Sequence, residues 1–240
     1  MIKLSNDAVL GCSEQHLVHF GHDTTTLLHC EVAVPLAQLQ QAAAKQGFEL
    51  AIASSFRSFE RQLWLWNNKL SGQRPVLDDD GQAIDLDRLS SLDKIIALMR
   101  WSALPGTSRH HWGCDFDIYD KAAIDSNYQL QLVPEEYSGN GPFAPMMTWL
   151  ANEIDLGLVP FYRPYEYDLG GVAPEPWHIS YRPVAEQFEQ CFNQQCLVER
   201  LIDSDILEKQ TVVDHLEYLI ERFVIAYSRP HSPLRAKRES

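Results

Sequence analysis

Apolar residues recur at helical spacing in several segments of the chain, and each is punctuated as a helix should be. Val34 to Lys45 has Pro35 near its start and Gly47 just past its end. A second helix is predicted from Phe59 to Leu70, capped by Ser58 and carrying Trp64 and Trp66, with Arg61 and Gln62 facing outward or toward a cleft. Leu89 to Arg100, capped by Ser90 or Ser91, and Met146 to Ile154, with Met147, Leu150 and Ile154 inward, follow the same rule. Strict alternation at Phe48–Ala53 and at Tyr128–Leu132 predicts strands instead. Val184 to Asn193 begins a helical tail. Val212 to Tyr227 reads as one long helix with a wide apolar stripe of Val212, Val213, Leu216, Leu219, Ile220, Phe223 and Val224. That stripe must be covered, either by the domain or by a second subunit docking as a dimer; the oligomeric state is left open.

Between these elements the pattern lapses. Ser71 to Arg88 is polar and carries Gly72, Pro75 and Asp78-Asp79-Asp80-Gly81, as a loop or hairpin insertion would. The acidic run resembles the start of a calcium loop, but its twelfth position is Leu89 rather than glutamate, so a solvated turn is expected. Phe161 to Tyr167 is aromatic, polar and broken by Pro164, with Gly170-Gly171 after it, which is loop chemistry beside a cleft. Arg229 to Ser240 mixes proline with basic residues and is expected to be disordered. No internal repeat is present.

The 240 residues are 45% apolar, 10% aromatic and 22% charged, a balance that suits a soluble globular protein. A net charge of −13 argues against nucleic acid as a partner and offers nothing to anionic membranes. No segment is long and apolar enough for a membrane span. The first twelve residues lack the unbroken apolar core of a signal peptide, and the cysteines, odd in number and without paired spacing, read as cytosolic thiols. A cytoplasmic location is therefore expected; a periplasmic or exported protein already freed of its leader would read the same. His16, His19, His22 and His29 cluster early, but Gly21 and Thr24–Thr26 break any helix there. No cysteine or carboxylate completes a metal set, so structural roles are expected.

The candidate chemistry lies in Ser108-Arg109-His110-His111-Trp112-Gly113-Cys114-Asp115-Phe116-Asp117, followed much later by Glu175-Pro176-Trp177-His178. Imidazole and carboxylate both bind divalent metals, and two histidines with one carboxylate make the three protein ligands of a catalytic zinc. If the residues after Gly113 form a strand, Cys114, Phe116 and Ile118 face the core while Asp115, Asp117 and Tyr119 face a cleft. Gly113 lets the chain fold back and brings His110 beside Asp117. Glu175, three positions before His178, is placed to take a proton from water. Cys114 reads as a small buried apolar residue, and His111 as part of the groove wall.

These blocks resemble the VanY-like D-alanyl-D-alanine carboxypeptidases: Ser108-x-His110-x-x-Gly113-x-x-x-Asp117, then Glu175-x-x-His178 with Trp177, and upstream Ser55-Phe56-Arg57-Ser58 with Gln62. The resemblance covers about Ser54 to Tyr181. It implies an α+β fold of the Hedgehog/DD-peptidase type, a small antiparallel sheet flanked by helices with zinc in a groove, here with a C-terminal helical extension. It implies that His110, Asp117 and His178 bind zinc and that Glu175 is the base. By the same resemblance Arg57 polarises the scissile carbonyl or holds the substrate, Ser108 lies near the substrate's terminal carboxylate, and Gln62 and Trp177 contact the substrate. Asp115 stands where the family usually has a small residue; it orients a ligand histidine, competes as a ligand, or is simply solvated. The expected organisation is a peptidase domain over 1–195, a helical appendage over 196–228 and a tail over 229–240.

The expected reaction is hydrolysis of a C-terminal peptide bond in a peptidoglycan-type stem peptide or muropeptide, D,D or L,D, by Glu-assisted attack of a zinc-bound water. Two alternatives stand beside it. One is an endopeptidase or cell-wall lysin of the same fold. The other is a non-catalytic zinc-stabilised binding module, which would have no need of Glu175.

Overall fold

In the computed structural model, which describes residues 4–21 and 26–228, the chain opens with a short helix, α1 (Asn6–Val9), and a hairpin of β1 (Leu17–His19) and β2 (Leu27–His29). Next come α2 (Ala33–Lys45) and β3 (Leu50–Ser54), and then α3 (Phe59–Leu70) and α4 (Ser91–Met99) on either side of the polar insertion. β4 (Asp115–Asp120), α5 (Ala144–Asp155), β5 (Phe161–Tyr162) and β6 (His178–Tyr181) follow. The chain then runs through α6 (Arg182–Cys191), α7 (Gln194–Asp203), α8 (Lys209–Asp214) and α9 (Leu216–Ile220). The last four strands form one antiparallel sheet in the order β3-β4-β6-β5. The α+β architecture with a small antiparallel sheet, flanking helices and a helical C-terminal region is the one expected.

Local signals explain most of the helices. Ser58 Oγ accepts from Arg61 N at the start of α3, and Ser90 Oγ accepts from Asp93 N at the start of α4. Each cap satisfies a backbone donor that the helix itself leaves orphaned. The apolar faces then assemble into two cores. One joins the sheet, through Phe116, Ile118 and Ile179, to α2, α5 and α6. The other joins α3 and α4 to the C-terminal helices through Phe59, Trp66, Ile95, Leu98, Leu201 and Leu219. The cleft bearing the candidate chemistry draws residues from both, with Trp177 from the first and Tyr165 and Val172 from the second.

Several expectations are corrected. Tyr128–Leu132 is not a strand. The Glu136 carboxylate accepts from the Gln131 and Val133 amides and from the Tyr128 hydroxyl, so this segment satisfies its backbone on a side chain rather than on a neighbouring strand. The long helix read over Val212–Tyr227 is broken at His215 and passes through a π-helical stretch, Glu221–Ile225. The bends let Val212, Leu216, Leu219, Phe223 and Tyr227 all reach the second core, so most of the stripe is covered by the chain itself. Tyr227 also accepts from Gly171 N and donates to Val172 O, tying the last described helical turn to the cleft loop.

The early histidines lie on a hairpin that periodicity did not reveal. His16 and His29 are buried with ring centroids 5.5 Å apart, both packed against Phe188, while His19 is exposed. His22 and the tail 229–240 lie outside the described residues. The Asp78–Gly81 stretch is the turn expected of it, with Asp78 Oδ1 accepting from the amides of Asp80 and Gln82. All five cysteines are free thiols. No helix among the described residues is long and apolar enough to cross a membrane.

Candidate metal centre

The site is a consequence of strand register. Asp117 on β4 stands directly opposite His178 on β6 and opposite Ser54 on β3, so three strands present one side chain each to the same spot. His110 arrives from a 3-10 turn, Arg109–Trp112, that ends on Gly113 at φ +69°. A side chain at 113 would be strained in that conformation and would meet Leu17 Cδ2 at 2.5 Å and the His29 amide nitrogen at 2.8 Å. Glycine therefore lets the turn close against β2, where His29 N donates to Gly113 O at 2.8 Å. The result sets His110 Nε2 3.4 Å from Asp117 Oδ2.

The ring nitrogens are assigned by their partners. His110 Nδ1 donates to Ser55 O at 2.9 Å, which leaves Nε2 facing Asp117. His178 Nε2 donates to Asp115 Oδ1 at 3.0 Å, which leaves Nδ1 facing Asp117 Oδ1 at 3.2 Å and Glu175 Oε2 at 3.6 Å. One ligand atom from each of His110, Asp117 and His178 lies within 4.8 Å of the others, and all three side chains are buried. Two imidazole lone pairs and a carboxylate converging in this way fit a divalent ion such as zinc.

Behind this cluster runs a largely buried hydrogen-bond network centred on Arg109. Asp115, fully buried, accepts from Arg109 Nε at 2.8 Å, and Arg109 also donates to Glu189 at 2.7 Å, to Ser180 Oγ at 3.0 Å and to the Tyr162 hydroxyl. Of the readings open for Asp115, the orienting one is realised: it holds His178 from beneath and is neither solvated nor turned into the cleft. Burial opposes its ionisation, but the charge of Arg109 and the hydrogen bond from His178 pull its pKa down to about 2. Burial likewise opposes protonation of His178, yet hydrogen bonds to Asp115 and Asp117 and their charges raise its pKa to about 9. Asp117 is held well below the usual carboxylate range: its burial is outweighed by His110 and His178. Glu175 goes the other way. Burial, with Asp117 nearby and His178, Arg57 and Lys69 opposing, pushes its pKa up to about 7.

A cleft of about 670 Å³ opens on this cluster, and Glu175, Arg57, Ser108 and Trp177 line it as the sequence led one to expect. Gln62 does not. It is fully buried, accepting from Arg57 Nη1 at 2.9 Å and donating to Ala103 O at 2.7 Å, so it props Arg57 and has no surface left for a substrate. Ser54 Oγ accepts from Arg57 Nη2 at 3.2 Å, on the other arm of the guanidinium. His111 is also corrected: it is no groove wall but a buried strut. Its Nδ1 donates to Arg57 O at 2.6 Å and its Nε2 accepts from Gly106 N at 3.0 Å; burial drives its pKa down to about 3. Together with Arg57 N donating to His110 O at 3.1 Å, these bonds stitch the arginine segment to the histidine turn.

Sequence reasoning missed Arg109, Glu189 and Tyr165. Arg109 lies inside the histidine block, and the unusual acid at Asp115, six residues on, was the available hint that a cationic partner stood near. Tyr165 packs edge-on against His178, with ring centroids 4.9 Å apart; the sequence marked its segment as a loop beside a cleft but did not single out this residue.

A family model described as VanY, D-alanyl-D-alanine carboxypeptidase, matches residues 25–184. An uncharacterized protein of Haemophilus influenzae is 45% identical over 105 residues, which are 43% of this chain and 72% of that protein. A second protein from the same organism is 34% identical over 125 residues, 51% of this chain and 93% of its own. A solved structure of VanYB in complex with D-alanine-D-alanine aligns with a TM-score of 0.48 at 21% identity, over 79% of this chain and 89% of that one.

Proposed function

The chain belongs to the VanY family of zinc D-alanyl-D-alanine carboxypeptidases, and on that premise we propose that it hydrolyses the C-terminal peptide bond of a peptidoglycan-type stem peptide, D,D or L,D. His110, Asp117 and His178 would hold the zinc and Glu175 would move the proton. The observation that carries this reading is the position of Glu175, buried in the cleft with Oε2 3.6 Å from His178 Nδ1, beside the His110, Asp117 and His178 cluster. A structural metal site has no use for a carboxylate so placed, whereas hydrolysis needs a base within reach of the water it deprotonates.

When bound, zinc supplies Lewis-acid polarisation of the scissile carbonyl and lowers the pKa of water toward ~7. The remaining work falls to the chain. Glu175 takes the proton from the attacking water and delivers it to the leaving amine. Arg57, held on both arms by Gln62 and Ser54, presents its guanidinium to the oxygen on which negative charge develops; losing one such donor typically costs ~10²–10³ in rate. Asp115 keeps His178 in the tautomer whose Nδ1 is left free, the atom that would hold the metal. Tyr165 and Trp177 supply apolar walls that restrict water around the reacting groups.

The test is metal analysis of the purified protein together with mass-read hydrolysis of a pentapeptide ending in D-Ala-D-Ala and of the corresponding tetrapeptide. One zinc per chain and release of a single terminal residue from one of the two is expected. No turnover of either peptide by zinc-loaded protein, or cleavage at an internal bond, overturns the reading.

A further inference from the structure

Glu175 stands at the end of a closed loop. Its amide donates to Tyr165 O at 2.9 Å, so residues 165–175 leave and return to one point, and Glu175 takes its backbone position from that closure. The Tyr165 ring packs against His178, and both Tyr165 and Val172 line the cleft. Two parts of the chain hold this loop. From the end of α4, Arg100 Nη1 donates to Gly171 O at 3.0 Å and Arg100 O accepts from Ala173 N at 2.9 Å. The other part is the helical stretch that follows α9, which lies beyond residues 25–184 of the family match. It reaches the loop through Tyr227, buried in the turn Ala226–Ser228. The Tyr227 hydroxyl accepts from Gly171 N at 3.2 Å and donates to Val172 O at 2.8 Å, and its ring packs on Tyr165 with centroids 5.3 Å apart. Arg222 Nε adds a bond to Gly170 O at 2.6 Å. The approach is close enough to need glycine, since a Cβ at 171 would collide with Arg222 O in the π-helical stretch.

We infer that Tyr227 is a positioning residue for the reaction: it fixes Tyr165 and the Gly171–Val172 backbone, and through them the place of Glu175 beside His178. For the chemistry this rests on the carboxypeptidase reading. It makes the helices after residue 195 part of the catalytic unit rather than an appendage to it. The tyrosine hydroxyl satisfies a buried donor and a buried acceptor on adjacent loop residues, so removing it leaves both unpaired. The loop then relaxes at its middle, while Tyr165, which closes its base, loses a fixed neighbour. A displacement of about 1 Å at a reacting group is enough to cost ~10²-fold in rate. Tyr227 touches neither the metal ligands' nitrogens nor the carboxylate of Glu175; its effect passes through Tyr165 and the loop backbone.

The experiment compares the zinc-loaded wild type with two variants of the full chain. Tyr227→Phe keeps the ring against Tyr165 and loses both hydrogen bonds. Leu201→Val removes a methylene from the same core on α7 and serves as the control for general stability. The readings are kcat and KM for whichever stem peptide is cleaved, and hydrogen exchange at the Gly171 and Glu175 amides without substrate. Tyr227→Phe is expected to lower kcat about tenfold with KM within about twofold. It should also speed exchange at both amides about fivefold, the effect of one lost buried hydrogen bond. Leu201→Val should leave kcat and both amides at the wild-type level. A wild-type kcat in Tyr227→Phe, a loss confined to KM, or unchanged exchange at Glu175 overturns the inference. So does a Leu201→Val variant that loses kcat to the same extent, since the tyrosine would then act only through stability. If the wild type cleaves neither peptide, the carboxypeptidase reading fails, and exchange at Glu175 alone decides the positioning.

Discussion

Asp115 Oδ1 accepts from His178 Nε2 at 3.0 Å, and this one contact decides which nitrogen of the ring is left for a metal. Asp115 is itself anchored by Arg109, so the orientation of His178 depends on a buried ion pair whose carboxylate is turned away from the cleft. Asp115→Asn keeps the shape but lets the amide NH2 face Nε2, which favours the other tautomer, and it leaves Arg109 short of a countercharge. Zinc affinity is expected to fall 10–100-fold. Stability should fall by about 3–5 kcal/mol, as when one partner of a buried pair is removed. A competitive chelator titration and urea unfolding check the two effects; unchanged zinc affinity would return Asp115 to a purely structural role.

Glu175→Gln separates the base from the ligands. Glutamine keeps the volume and hydrogen-bond reach but cannot accept the proton, so turnover should drop by at least ~10²-fold while zinc content stays at the wild-type level. His178→Ala should lose metal and activity together. Zinc loss in the glutamine variant would instead make Glu175 a ligand.

Gly113→Ala tests the turn that delivers His110. The new methyl meets backbone at the His29 amide as well as the Leu17 side chain, and it forces an L residue to φ +69°. The combined cost is expected at roughly 2–5 kcal/mol, visible as a lower urea midpoint with a parallel loss of zinc affinity. A variant as stable as wild type would mean that the hairpin yields easily.

The hairpin histidines predict acid lability remote from the metal. Burial pushes the pKa of His16 and His29 from 6.5 down to about 4, His29 adding to the effect on His16. The unfolded chain therefore takes up protons first as the pH falls. Stability is full above about 6.5 and declines as the pH drops toward 4. Neither ring nitrogen of His16 has a hydrogen-bond partner among the described residues. His16→Phe should accordingly raise stability by about 1–3 kcal/mol and flatten the decline between pH 6.5 and 4, with His29 and His111 keeping part of it. Unfolding midpoints measured across that range decide; a slope unaltered by the substitution would count against His16 as a source.

Much of the protein was legible in one dimension. Helices α2, α3, α4 and α5 announce themselves by period, and α3 and α4 also by their serine caps, because one-sided burial repeats along the chain and an N-cap acts within one turn. Strand parity correctly sent Phe116 and Ile118 to the core. The clustering of His110, Asp117 and His178 was legible too, since metal-ligand chemistry limits the residue types and the family's spacing selects among them. Relations between segments remote in sequence were not. The Asp117–His178 pairing depends on which strands adjoin and in what register, and Asp115 became an orienting group only because Arg109 and His178 closed over it. Gln62 and His111 looked like cleft residues because local pattern reports polarity, whereas burial and partners follow from packing. The alternation at Tyr128–Leu132 met a carboxylate instead of a strand, and the Val212–Tyr227 stripe bent to follow a core whose curvature no local pattern records. Short-range geometry is written in the order of residues; partners across the fold are chosen by the tertiary structure, where backbone groups, charges and apolar faces are all satisfied at once.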